Sequence, residues 1–255
     1  MSGTVSRYAA GSALYNIGMT MELDDKNNSA NANAKLSPPW DEIETVLLDM
    51  DGTLLDLHFD NYFWLQHVPL SYAEKHDMPH EEAHEQLMGK YSAARGTLDW
   101  YCIDYWTKEL SLDIAQLKND IAEKIAIRPE VVEFLGWLNQ HNKRVVLVTN
   151  AHPVSLDLKM QKTGLHVHFD NIINSHDIGL AKENEGFWEK LQSSEPYHRE
   201  STMLIDDNME VLDCAHRYGI AYCYGIAQPD SQAGVVESDG YPVIHSYNEI
   251  IGQSI

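Results

Sequence analysis

Thr45-Val46-Leu47-Leu48-Asp49-Met50-Asp51-Gly52-Thr53 is the stretch that decides how this chain folds. Its apolar start reads as a short buried strand. The strand delivers two carboxylates, one residue apart, into a glycine turn. Side chains alternate faces along a strand, so a regular strand end would point Asp49 and Asp51 the same way. Two like charges so placed repel unless a cation sits between them or one binds a proton. A divalent metal with oxygen ligands satisfies the first condition. The competing reading is a polar strand end that merely caps a turn.

Three further segments weigh against that competing reading. Val145-Val146-Leu147-Val148 ends in Thr149-Asn150, and Thr202-Met203-Leu204-Ile205 ends in Asp206-Asp207. Between them Lys182 closes the loop-like run Gly179-Leu180-Ala181-Lys182. Each apolar run reads as a buried parallel strand, and open α/β sheets bind ligands beyond the carboxyl ends of their strands. Taken singly, Thr149 or Asp206 could cap a helix and Lys182 could be a solvated lysine. Taken in order, they bring acid, hydroxyl, ammonium and acid to one rim.

The four segments resemble the four motifs of the haloacid dehalogenase (HAD) phosphohydrolase superfamily, over the chain from about Glu44 onward. Asp49 and Asp51 match its DxDGT motif, Thr149 its second-motif hydroxyl, Lys182 its third-motif lysine and Asp206-Asp207 its acidic fourth motif. The strings Phe59-Asp60-Asn61-Tyr62-Phe63-Trp64, Leu98-Asp99-Trp100-Tyr101-Cys102 and Thr149-Asn150-Ala151-His152-Pro153 are similar to the bacterial GMP/IMP nucleotidase subfamily. Many relatives have proline after the third-motif lysine, where this chain has Glu183. The resemblance implies an α/β fold: a Rossmann-like core with a parallel sheet, and an α-helical cap inserted between the first and second motifs. The organisation it implies is core at 39–55 and 129–255 with cap at 56–128.

The implied activity is hydrolysis of purine nucleoside 5′-monophosphates through an aspartyl-phosphate. Asp49 is then the nucleophile and Asp51 the general acid and base. Thr149, Asn150 and Lys182 hold the phosphoryl oxygens. Mg²⁺ is bound by Asp49, the Asp51 carbonyl, Asp206 and Asp207. In the cap, Asp60, Asn61 and Trp100 are the candidates for nucleoside contact, with Asn61 or a nearby backbone N–H as a donor to the purine 6-oxo group and Asp60 as an acceptor from N1–H. The alternatives are a phosphatase for a sugar phosphate or phosphoglycolate, a phosphomutase, and an idle binding protein. The last would normally lack Asp49, Asp51 or Lys182, and all are present.

Composition narrows the partners. The 255 residues carry 18 basic and 39 acidic side chains, a formal net charge of −21. Such a surface repels phosphate backbones, so a small nucleotide is the expected partner rather than a nucleic-acid polymer. No obligate protein partner is evident. Cys102, Cys214 and Cys223 show neither C-x-x-C spacing nor an even count, which points to a reducing, cytoplasmic compartment. His166 and His168 lack the spacing of a zinc site and read as ordinary residues. No run reaches the ~18 apolar residues a membrane span needs. Residues 1–38 include the low-complexity run Asn27 to Ala34 and read as a disordered tail, with Met19 and Met21 as alternative starts.

Helices are expected at Pro79–Arg95, Asp99–Leu110, Leu112–Ile125, Pro129–His141 with proline at the start, Pro153–Thr163 and Asn208–Tyr218. Further short strands are expected at Phe169–Asn174 and Ile220–Gly225.

Overall fold

The computed structural model describes residues 37–236, 238 and 240–251. The expected tail at 1–38 lies outside the described residues except for Ser37 and Pro38. Six parallel strands form one sheet: β1 (Thr45–Leu48), β2 (Arg144–Thr149), β3 (Asn171–Asn174), β4 (Thr202–Ile205), β5 (Tyr222–Ile226) and β6 (Val243–Ile244), in the order β3-β2-β1-β4-β5-β6. The strand that ends in Asp49 is therefore central.

The alternation of each strand divides the core into two layers. Val46, Leu48, Val145, Leu147, Met203 and Ile205 pack into one apolar cluster. Their sequence neighbours Leu47, Val146, Val148 and Leu204 pack into the other. Burial on both faces explains why these strands read as unbroken apolar runs. Leu48 is in register with Leu147 on one side and Ile205 on the other. One residue on, the Asp49 N–H donates to the Ile205 carbonyl at 3.0 Å. The ladder thus sets Asp49 beside Asp206 by backbone pairing.

Six helices make up the insertion that follows β1: α1 (His58–Tyr62), α2 (Val68–His76), α3 (His80–Ala94), α4 (Leu98–Tyr101), α5 (Ile103–Leu110) and α6 (Ile114–Asp120). A five-residue π-type stretch, Phe63–His67, joins α1 to α2. These helices enclose an apolar cluster of their own, in which Phe59, Phe63, Tyr91 and Trp106 are almost fully buried. Most of the insertion's aromatic rings are its own core.

Five more helices complete the layers around the sheet: α7 (Val131–Gln140), α8 (Pro153–Thr163), α9 (Ser175–Ile178), α10 (Phe187–Ser194) and α11 (Met209–Tyr218). The single helix expected at Asp99–Leu110 is two, broken at Cys102. That residue is extended, and its sulfur accepts the Tyr105 N–H as the cap of α5. The helix expected to begin at Pro129 begins two residues later. Glu130 takes a left-handed conformation (φ 67°) while its carboxylate accepts from the Ser246 hydroxyl and the Asn248 N–H. Those tertiary bonds outweigh the local preference for proline at a helix start. Among the described residues, no helix is long and apolar enough to cross a membrane.

Candidate active site

The backbone past β1 folds back at once. Gly52 has φ 86°, the Leu54 and Leu55 N–H groups both donate to the Met50 carbonyl, and the Gly52 N–H donates to Leu55. A Cβ on Gly52 would stand 2.4 Å from Oδ2 of Asp207, so the close approach of this turn to the fourth motif requires glycine. The turn leaves Asp49 and Asp51 lining one cleft. Thr149, Asn150, Lys182, Asp206 and Asp207 line the same cleft from neighbouring strand ends. Asp60, Asn61 and Trp100 line it from the inserted helices. All ten side chains singled out in the sequence therefore meet at one place.

At the floor, the Lys182 ammonium lies 2.6 Å from Oδ1 of Asp49 and 2.6 Å from Oδ2 of Asp206, and donates to the Val148 carbonyl at 3.2 Å. Burial pushes the Asp49 carboxyl up to about 6 against the pull of Lys182. Burial also lowers the affinity of Lys182 for its proton, but the two carboxylates outweigh it and hold the ammonium charged. Oδ2 of Asp49 is buried without a hydrogen-bond partner among the described residues. Asp49, Asp206 and Asp207 bring carboxylate oxygens within 4.8 Å of one another, three carboxyl groups against one ammonium. Burial, then Asp49 and Asp206, push Asp207 well up. An orphaned carboxylate oxygen in a cluster of hard oxygen donors fits a divalent cation.

Lys182 is positioned through its backbone. Its N–H donates to Oδ1 of Asn150 at 2.9 Å. The Asn150 amide donates to Oε2 of Glu183 at 2.9 Å, and the Tyr101 hydroxyl donates to Oε1 of the same carboxylate at 2.9 Å. Glu183, the departure noted in the sequence, thus joins a strand-end residue to an inserted helix. Thr149 is 1% exposed and its Oγ1 accepts from the Ala151 N–H at 3.0 Å.

A second chain of charges runs from Asp51 into the insertion. Lys159 on α8 contacts Oδ1 of Asp51 at 2.7 Å and Oδ2 of Asp60 at 2.6 Å, and Lys118 on α6 contacts Oδ1 of Asp60 at 2.8 Å. Burial pushes Asp51 up to about 6, with Lys159 pulling against it. Burial also acts to raise Asp60, but Lys118 and Lys159 prevail and hold it at about 2. Both Asp60 oxygens are occupied by ammonium groups, so the carboxylate expected to accept from a purine N1–H is taken. The Asn61 amide nitrogen donates to Oδ2 of Asp230 at 2.7 Å, while its Oδ1 is buried and unpartnered. The free group of Asn61 is an acceptor, not the donor expected.

Lys159 and Lys118 escaped the sequence reading. The signal was present at Lys159, which shares the buried face of α8 with Leu156 and Met160. A lysine on an apolar face needs a buried partner. His152 and His176 are also near the rim, and burial holds both below the usual histidine range.

A family model described as haloacid dehalogenase-like hydrolase matches residues 43–217. A GMP/IMP nucleotidase of Escherichia coli K12, YrfG, is 38% identical over 212 residues, which are 83% of this chain and 96% of that protein. A pyrimidine 5′-nucleotidase of the same organism, YjjG, is 24% identical over 183 residues, covering 67% of this chain and 79% of that one. In fold, a crystal structure of a HAD phosphatase from Thermococcus onnurineus superposes with a TM-score of 0.69 at 21% identity, covering 81% of this chain and 95% of that one. The matched span contains β1 to β4, the inserted helices and every member of the charged floor, and on this match the chain belongs to the haloacid dehalogenase-like hydrolase family.

Proposed function

We propose that this phosphohydrolase cleaves 6-oxopurine nucleoside 5′-monophosphates, GMP and IMP, to nucleoside and phosphate. The observation that carries the reading is the Asp49 carboxylate, at the end of the central strand, bonded by Lys182 and facing the cleft. The nucleotidase relative at 38% identity supports the substrate class.

Asp49 attacks phosphorus, and the bond from phosphorus to the ribose 5′-oxygen breaks. Asp51 gives its proton to that oxygen. It then takes a proton from the water that attacks the aspartyl-phosphate, which returns Asp49 and releases phosphate. The Thr149 hydroxyl, the Asn150 region and Lys182 hold the phosphoryl oxygens. Mg²⁺ would be held by Asp49, Asp206, Asp207 and the Asp51 carbonyl, and when bound it offsets the repulsion between nucleophile and phosphate. Positioning and charge stabilisation of this kind dominate phosphoryl transfer.

For the base, Trp100 offers a ring at the cleft wall. Oδ1 of Asn61 offers an acceptor for the N1–H that GMP and IMP carry and AMP lacks. Asp60 holds Lys159 and Lys118 in place instead of touching the base. A buried acceptor left unmatched costs ~1–3 kcal/mol, or roughly tenfold to a hundredfold in kcat/KM.

The test is kcat/KM for GMP, IMP, AMP, a pyrimidine monophosphate and a sugar phosphate, with Mg²⁺. GMP and IMP are expected to exceed the others by tenfold or more. AMP or a pyrimidine nucleotide turned over as well as GMP defeats the base assignment, and preference for the sugar phosphate defeats the nucleotide reading.

A further inference from the structure

Cys102, His152 and His176 come from three distant parts of the chain, yet one ligand-type atom of each lies within 4.8 Å of the other two. Cys102 is the extended break between α4 and α5, in the insertion. His152 precedes α8 just beyond β2, and His176 sits in α9 just beyond β3. The trio therefore straddles the seam between the inserted helices and the sheet rim. It is separate from the carboxylate floor, which contains neither sulfur nor imidazole.

His176 has the setting of a ligand. One ring nitrogen faces the Asn150 main-chain carbonyl, while Nε2 is buried with no partner among the described residues. A ligating histidine is held in that way, with one N–H on a backbone carbonyl and the other lone pair free for the metal. The His152 ring meets it edge-on at 4.9 Å. Nε2 of His152 is 3.7 Å from Oδ2 of Asp104, a largely exposed carboxylate two residues past Cys102. The Cys102 sulfur accepts the Tyr105 N–H at 3.4 Å, a contact that also suits a metal-bound thiolate.

We propose that Cys102, His152 and His176 form a site for a thiophilic divalent cation, Zn²⁺ by its donor set, which ties the insertion to the sheet rim. Asp104 or a water completes the tetrahedron. Tetrahedral zinc with one sulfur and two nitrogens places its ligands roughly 3.3–3.6 Å apart, so from its 4.8 Å outer limit the trio closes by at most about 1.5 Å. On binding, the Cys102 thiol gives its proton to solvent. His152 moves its proton from Nε2 to Nδ1 and gives up a long 3.4 Å contact from the Val154 N–H. Thiolate and imidazole select Zn²⁺ over Mg²⁺, so this site and the carboxylate floor take different ions. The neighbours of Cys102, Tyr101 and Ile103, line the cleft, as does His152. A cation joining them holds the cleft wall in its closed position and slows release of product.

The binding test does not depend on the nucleotidase reading. Co²⁺ is titrated into the chelator-stripped, full-length protein. One equivalent is expected to produce a thiolate-to-cobalt charge-transfer band that Zn²⁺ abolishes. Cys102→Ser should lose the band and His176→Gln should weaken binding at least tenfold, both with unchanged circular dichroism. No such band in the wild type, or the same band in Cys102→Ser, overturns the site; Cys214 and Cys223 are buried elsewhere in the core and serve as internal controls. The regulatory consequence rests on the hydrolase reading. With Mg²⁺ saturating, Zn²⁺ should inhibit the wild type at least tenfold more strongly than Cys102→Ser, whose basal kcat is unchanged. Equal inhibition of the two would assign the inhibitory ion to the Asp49 carboxylates and overturn the tie.

Discussion

The ammonium of Lys159 stands 2.7 Å from Oδ1 of Asp51 and is 1% exposed, so the second carboxylate of the DxD pair is held by a lysine from α8 that no motif announces. Lys159 also binds Asp60, and through it Lys118. The rotamer of Asp51 is thereby coupled to α1 and α6 of the insertion. Lys159→Met should lower kcat about tenfold to a hundredfold, with KM within a few-fold, because it releases a reacting group rather than a binding group. Lys159→Arg should recover part of the loss. A pre-steady-state burst of nucleoside checks whether the proton-transfer step is the one slowed. An unchanged kcat in Lys159→Met would remove Lys159 from the machinery.

Asp49→Asn should abolish turnover, by ~10³-fold or more in kcat. The same change should leave the metal-free protein as stable as wild type, or slightly more so. It removes one of three carboxylates crowded within 4.8 Å while Lys182 keeps its bond to Asp206. Thermal unfolding after chelation measures the second part. A large fall in Tm would mean that the Asp49–Lys182 bond is structural first.

How much of this was readable in advance follows from what sequence encodes locally. β1, β2 and β4 were legible because burial on both faces writes an unbroken apolar run, and their ends carry the floor residues. Glu130 was not legible. Its left-handed backbone is imposed by Ser246 and Asn248, more than a hundred residues away. Cys102 likewise breaks a helix through a sulfur cap that composition does not mark. Asp60 and Asn61 line the cleft, but the roles expected of them took no account of Lys118, Lys159 and Asp230, which bond both Asp60 oxygens and the Asn61 amide nitrogen. The Cys102, His152 and His176 cluster has no sequence spacing at all, because three separate elements supply it.

Asp60→Asn should destabilise the fold by ~3–5 kcal/mol, the cost of breaking a buried ion pair from one side. Lys118 and Lys159 are both nearly inaccessible; Lys118 would be left with a neutral partner, while Lys159 keeps only Asp51. The sign with pH follows from the depressed folded value, about 2 against an ordinary 3.8. The Asp60 contribution is complete above about pH 4 and is lost as pH falls through about 2. Urea unfolding between pH 2 and 7 checks this: the gap between wild type and Asp60→Asn should be constant above pH 4 and narrow below it. A gap that is constant down to pH 2 contradicts the assignment.

Glu183 follows Lys182 directly in the chain. Its two carboxylate oxygens receive the Tyr101 hydroxyl and the Asn150 amide, each at 2.9 Å. Tyr101 belongs to α4 of the insertion, and Asn150 orients the Lys182 backbone at the rim. The carboxylate therefore couples the position of the insertion to the placement of Lys182. A hydrogen bond to a charged acceptor contributes ~1.5–3 kcal/mol. Tyr101→Phe removes only the bond across the seam and should raise KM about threefold to thirtyfold while kcat changes less, since it lowers the population of the closed, binding-competent form. Glu183→Pro also releases Asn150 and should lower kcat as well, because Lys182 loses its backbone anchor. The two effects separate in a double-mutant cycle. Tyr101→Phe should add nothing to KM in a Glu183→Pro background, where its partner is already gone. Full additivity there would show that the Tyr101 hydroxyl acts on bound substrate rather than on Glu183.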